Sequence, residues 1–289
     1  MNFDLLLSNL EQAEAVFATG FPAERCFVDC FPALQEGVSA LASRMRRMTD
    51  AALYLALPHV SRQEPQLPMM RDLETLCAQA RDAGFAGMLV RNFEQFAFLT
   101  ERGYPGELLL DLNMYVWNPE AYALLREQSE GLKGFTLSPE MSFPQWRHLA
   151  EETEGDIALT AVVYGFLPLM VSANCVKENG AGGCSKKRGE AYRTETFLTD
   201  RTGRRMQVTC DCRNCYNVIW NAHRLSLHDA LDSLRGMGRG VRLRLDFTQE
   251  SGQEAAAVCA AFLAFAEGRG EAALPYAEYT TGRFKKGVE

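Results

Sequence analysis

Cys175, Cys184, Cys210, Cys212 and Cys215 are five of the nine cysteines and fall within one short stretch of the chain. Thiolates are soft donors that suit zinc or an iron–sulfur cluster. Cys212 and Cys215 form C-x-x-C, a spacing that lets two thiolates grip one metal or two irons of one cluster. Alone, that motif would serve equally well as a redox dithiol. Cys175 and Cys184 complete a set of four, the number that a structural zinc or a four-iron cubane needs. Gly180, Gly182 and Gly183 let the backbone bend tightly beside the first two sulfurs. These residues leave a 4Fe-4S cluster and zinc both open. Cys210 is a spare thiol able to replace Cys212, and Cys30 is a second candidate substitute. In a reducing compartment such clustered cysteines act as ligands rather than disulfides. The same stretch is basic, with Lys177, Lys186, Lys187, Arg188, Arg193, Arg201, Arg204 and Arg205. Those cations would offset the charge of a thiolate-bound cluster or attract a small anionic ligand or RNA.

The elements that must position these thiols show a regular rhythm. Eight short apolar runs, at 3–7, 26–30, 53–57, 87–90, 108–112, 134–137, 157–164 and 241–247, read as strands. Helix-compatible segments alternate with them at 10–17, 71–83, 93–100, 120–128, 143–152 and 253–267. A further helix is expected to begin near Ser226. That alternation requires parallel strands joined by crossovers. It predicts an α/β fold, a TIM-like (β/α)8 barrel forming a single domain over 1–289. The cysteine-rich segment 166–225 is then an insertion between strands 7 and 8. An open doubly wound sheet is the runner-up, weakened by the lack of G-x-G-x-x-G after the first strand.

Such a barrel places its chemistry at the C-terminal ends of its strands. Those ends carry Ser8, Asp29, Cys30, His59, Arg62, Arg91, Asn92, Asp111, Asn113, Tyr115, Asn118, Ser138, Glu140, Tyr164, Asp246 and Thr248. His59 and Glu140 are the candidate catalytic residues. Arg62, Arg91, Asn113 and Tyr115 are the candidate substrate-binding residues, with the two guanidiniums suited to a carboxylate. His148 and His228 lie in helical patterns and read as surface or capping residues, His223 follows the cysteine segment, and no standard serine- or zinc-hydrolase motif occurs. The net charge of −7 argues against general attraction to nucleic acid, though not against a local basic patch. No signal peptide or stretch of transmembrane length is legible, so a cytoplasmic protein with no membrane partner is expected.

SPEMS (138–142), VYGFLPLMVSANC (163–175), CRNCYN (212–217), LRLDFT (243–248) and TTGRFKKGVE (280–289) together resemble the collagenase-like peptidases of family U32. The likeness spans about the last half of the chain, and the strand–helix order extends it to the whole. The resemblance implies a 4Fe-4S cluster held by four cysteines, matching Cys175, Cys184, Cys212 and Cys215. It further implies oxygen-independent hydroxylation or a related modification of RNA or a small aromatic, with prephenate as the oxygen source in some relatives. The family name points instead to a peptidase. A non-catalytic metal-binding subunit of a protein partner is a third expectation, as is correspondence to one module of longer relatives. Two departures stand out: the extra Cys210, and Arg283 where many relatives carry histidine.

Overall fold

A computed structural model describes residues 1–61, 64, 67–153, 157–180, 183–184, 193–237, 240–269 and 273–288. Eight strands are parallel: β1 (Phe3–Leu7), β2 (Ala23–Asp29), β3 (Ala52–Ala56), β4 (Gly87–Val90), β5 (Glu107–Leu110), β6 (Leu132–Thr136), β7 (Ala158–Gly165) and, after an interruption, β13 (Val241–Phe247). Each pairs with the next in sequence, and β13 pairs with both β7 and β1. The sheet therefore closes, which excludes the open doubly wound alternative. Gly134 permits the β6–β7 pairing, because a Cβ there would collide with the Ala158 carbonyl.

Strand alternation sorts the core into two shells. On β13, Leu243, Leu245 and Phe247 pack outward in the main core with Leu5, Leu7 and Phe262. Each fully buried aliphatic side chain of this kind contributes about 1.5–3 kcal/mol relative to exposure. The inward shell holds a small apolar cluster, Leu6, Phe27, Tyr54, Ala56, Leu89 and Leu109. Charged layers lie on either side of it. Near the strand starts, Arg242 grips buried Asp4 through Nε and Nη2 and reaches Glu24.

Several polar residues at the strand ends are spent on the helices that follow. Asn9, Asn92 and Asn118 accept from the backbone N–H groups of Gln12, Gln95 and Ala121, and Ser251 forms a capping box with Glu254. Each cap satisfies a donor that the first helical turn would leave unpaired. Cys30 starts helix Cys30–Glu36 rather than ending β2, because Asp29 caps Phe31 and turns the chain. Likewise Leu112 belongs to a 3-10 turn capped by Asp111, and not to β5.

Between β7 and β13 lie β8 (Pro168–Ser172), β9 (Arg193–Thr199), β10 (Arg205–Asp211), β11 (Tyr216–Trp220) and β12 (Leu225–Ser226). The first four form an antiparallel sheet in the order β8-β11-β10-β9. This sheet is not legible as strands in the sequence pattern. The helix expected near Ser226 begins just after it, as a 3-10 turn at His228–Ala230 that continues into helix Leu231–Arg235, while Leu225–Ser226 forms β12 against the end of β7. Among the described residues no helix is long and apolar enough to cross a membrane.

Candidate functional site

Two arginines and two aspartates meet inside the barrel mouth: Arg244 and Asp246 from β13, and Arg91 and Asp111 from just past the ends of β4 and β5. Arg244 is fully buried, donating from Nε to Asp246 Oδ1 (2.6 Å), from Nη2 to Asp111 Oδ1 (2.7 Å) and from Nη1 to Thr136 Oγ1 (3.3 Å). Arg91 donates from Nε to the other Asp111 oxygen (2.9 Å) and from Nη1 to the Leu57 carbonyl (3.0 Å). Burial works against ionised Asp111, but Arg244 and Arg91 outweigh it and hold its carboxyl well below the usual range. Burial wins at Asp246, whose carboxyl is raised despite Arg244. This lattice is the floor of the mouth. The expected anion-binding Arg91 is thus turned inward, with two of its three nitrogens committed.

Above the floor, Asn113 Nδ2 lies 3.3 Å from His59 Nδ1, and the edge of Trp220 packs against the His59 ring at 5.6 Å between centroids. Burial, then the nearby Arg91, lowers the imidazole pKa to about 3, so His59 is neutral over the physiological range. Glu140 is exposed on the loop after β6, where its charge contributes to raising the Tyr115 hydroxyl. Tyr115 is itself exposed, with a left-handed backbone (φ 48°). The structure therefore joins His59 to Asn113 by a polar contact, whereas burial first and then the charge of Glu140 raise the Tyr115 hydroxyl. Arg62 lies outside the described residues.

The inserted sheet covers this end of the barrel. Arg193, at the start of β9, donates to Asp29 at the end of β2 (3.2 Å). Burial raises Asp29, but Arg193 and Arg91 prevail and keep it below the normal range. Arg213, between the two cysteines of C-x-x-C, forks onto both carboxylate oxygens of Asp72 in helix Met69–Ala80, each at 2.7 Å. Trp220, Val218 and Tyr216 pack on Met69. Beside Trp220 a cleft of about 510 Å³ opens between sheet and barrel, lined by Ser8, Phe31, Arg193, Thr194, Thr209 and Thr248.

Cys175, Cys184, Cys212 and Cys215 line one cavity of about 230 Å³, and Cys210 lines it too. All five thiols are free of disulfides. Local structure explains their approach. Cys212–Cys215 is the turn between β10 and β11, closed by Asn214 donating to both oxygens of Asp211, with Cys215 in a left-handed conformation (φ 55°). Cys175 caps the short turn Val176–Asn179, its sulfur accepting from the Glu178 N–H at 3.4 Å. Cys210 is buried, and burial followed by the neighbouring Cys212 and Cys175 pushes its thiol up to about 11. Cys30 is packed in the barrel core and does not line this cavity. Among the described residues no three His, Cys, Asp or Glu side chains converge tightly enough to hold a single ion. Of the expected cations, Lys186, Lys187 and Arg188 fall outside the described residues, as does Gly182.

Sequence reasoning passes over Arg244, Trp220, Arg213 and Tyr216. For Arg244 a signal exists, since Arg242, Arg244 and Asp246 alternate with Leu243, Leu245 and Phe247. For the others there is none, because their partners are distant in sequence.

Residues 34–265 match the family model described as peptidase family U32. No curated protein matches the chain. Among solved structures, it is similar to the U32 peptidase Mk0906, at 10% identity over 87% of this chain and 94% of that one, with a TM-score of 0.48. A conserved protein of unknown function from Enterococcus faecalis is similar at 9% identity over 93% of this chain and 66% of that one, with a TM-score of 0.45. A dihydrodipicolinate synthase family protein from Coccidioides immitis is similar at 10% identity over 55% of this chain, with a TM-score of 0.41; the chain covers 59% of that protein.

Proposed function

The chain belongs to peptidase family U32, and from that premise we propose that it is an iron–sulfur protein performing an oxygen-independent hydroxylation or related modification. Its substrate would be RNA or a small aromatic. The observation that carries this reading is the single cavity lined by Cys175, Cys184, Cys212 and Cys215. The donor set fits the group: thiolates are the usual ligands of a four-iron cluster, and no other soft set is needed. These four would hold it, with Cys210 alongside, and when bound it would supply one-electron chemistry. Zinc is the alternative occupant, and to bind it the same thiolates would have to draw closer together than they stand.

The chain's own residues separate and align two compartments. Tyr216 and Asp211 line the cysteine cavity and also lie within electrostatic reach of Arg193 beneath it. Arg193 and Arg213 fasten the sheet to Asp29 and Asp72. The cleft beside Trp220 has the volume of a small-molecule site and mixes hydroxyls with aromatic walls. Neutral His59, held by Asn113 and packed against Trp220, offers a hydrogen bond near it. A peptidase is the second reading, favoured by the family name.

Anaerobic purification with a visible spectrum and analysis for iron, sulfide and zinc tests the proposal. The expected result is iron and acid-labile sulfide in equal amounts. Cys212→Ser and Cys215→Ser should lose them, and Cys210→Ser should retain them. Iron lost from the Cys210 variant alone would transfer that ligand position to Cys210. Zinc without iron would remove the redox reading. Casein cleavage by metal-free protein, unchanged when all four cysteines are replaced, would establish the peptidase instead.

A further inference from the structure

On β10, Thr209 lines the cleft beside Trp220, and the next residue, Cys210, lines the cysteine cavity. Successive residues of a strand point to opposite faces, so cleft and cavity lie on opposite faces of the inserted sheet at this point. β9 completes the wall between them. Its Glu195 is paired with Thr209 and its Thr194 with Cys210. Paired residues of an antiparallel ladder hold their side chains next to each other on one face, which puts the Thr194 side chain on the cysteine side. Thr194 also borders the cleft. Its Oγ1 stands 3.7 Å from Cys212 Sγ, a hydrogen-bonding separation for the large sulfur atom.

While Cys212 is a thiol, either group can donate in this contact. A cysteine that ligates a metal has lost its proton, and its sulfur then only accepts. The donor is therefore Thr194 whenever the cavity is filled through Cys212. A hydrogen bond to a ligating sulfur draws negative charge away from it, and such bonds help to set the reduction potential of a cluster. Reduction adds negative charge, so the bond strengthens in the reduced state and eases the uptake of an electron. The hydroxyl is firmly placed. Thr194 sits within a ladder that runs from Arg193 opposite Asp211 to Thr199 opposite Arg205, and Arg193 beside it is latched to Asp29.

We infer that Thr194 is a positioning residue for the occupant of the cysteine cavity: its hydroxyl donates to the Cys212 sulfur, makes a cluster held there easier to reduce, and joins that ligand to the wall of the cleft. The inference rests on the iron–sulfur reading proposed above. It adds to it a residue that is not a ligand and that lies at the boundary between the two compartments.

Wild type, Thr194→Val, Thr194→Ser and the control Thr196→Val, purified anaerobically and analysed for iron and sulfide, are titrated with reductant while the visible spectrum is read. Valine keeps the branched shape that suits a strand and lacks only the hydroxyl, so iron content should be the same throughout. At the wild type's midpoint potential, Thr194→Val should show a ratio of reduced to oxidised protein lower by about three- to tenfold, the worth of one modest hydrogen bond. Thr194→Ser should keep the wild-type midpoint. So should Thr196→Val, which changes the same face of β9 opposite Val208. Equal midpoints for wild type and Thr194→Val would overturn the inference, as would an equal shift in Thr194→Ser or Thr196→Val. Zinc in place of iron would overturn the proposed function instead, and the hydrogen bond is then decided after exchange for cobalt(II). The sulfur-to-cobalt charge-transfer band should lie at lower energy in Thr194→Val than in wild type, and an unmoved band would overturn the bond.

Discussion

The barrel and the inserted sheet meet at one face, yet they are held together by opposite means. The barrel closes on itself through parallel pairing, leaves no free edge in that ring, and buries its charges as a lattice around Arg244 and Asp111. Among the described residues the inserted sheet ends in two outer strands, β8 and β9, and has little core of its own, chiefly Tyr216, Val218 and Trp220 against Met69. It relies on the latches from Arg193 and Arg213 to stay in place. The difference teaches where each kind of residue belongs. Buried charge is tolerable only where several strands surround and satisfy it. Cys175, Cys212 and Cys215 sit instead on short turns open to solvent, with a left-handed backbone at Cys215.

Three experiments break or sharpen that contrast. The largest effect is expected from Asp111→Ala, which leaves Arg91 and Arg244 buried without their shared partner. Urea unfolding should show a loss of about 3–5 kcal/mol. A loss well under that would mean the lattice is not what holds the barrel mouth.

The next concerns acid. Unfolded histidine takes up a proton near its ordinary pKa of about 6.5, whereas folded His59 resists protonation until about pH 3. Protonation therefore favours the unfolded chain, and stability from this group falls as pH drops below about 6.5. By pH 5 the loss should reach about 2 kcal/mol. His59→Gln should remove that part of the slope between about pH 6.5 and 5 in chemical-denaturation curves. An unchanged slope would mean that His59 is solvated rather than sheltered by Trp220.

The smallest effect should come from the latch. Asp72 is buried but Arg213 is only partly so and reaches solvent, so Arg213→Ala should cost about 1 kcal/mol. Its signature is local: amide exchange should speed up in 205–220 while strands β1 to β6 keep their protection. Uniform acceleration across the barrel would show the two regions to be one cooperative unit.

Several elements are legible in the order of the residues alone. Residues 3–7, 87–90 and 241–247 are strands with the bounds their apolar runs indicate, because alternation and flanking turns are local signals. The crowding of the cysteines is equally plain. Other elements depart from the pattern for local reasons: Asp29 caps a helix where the apolar run continues as if in β2, and the helix expected near Ser226 starts two residues later, at His228, after the short strand β12. β8 to β11 escape a reading by pattern because an antiparallel sheet with polar loops lacks the long apolar runs of buried barrel strands.

By itself, then, the sequence determined the eight-unit rhythm, the place of the insertion and the identity of its soft donors, since period, order and residue type are properties of the chain alone. Only the tertiary structure decided which groups work together. It turned Arg91 inward onto Asp111, set Asn113 beside His59, and brought Cys210 into the same cavity as the four expected ligands. The physical reason is range. Pairs such as Arg193 with Asp29 and Arg244 with Asp111 are separated by more than a hundred residues, and their partnership exists only once the sheet has closed and the insertion has settled on its mouth.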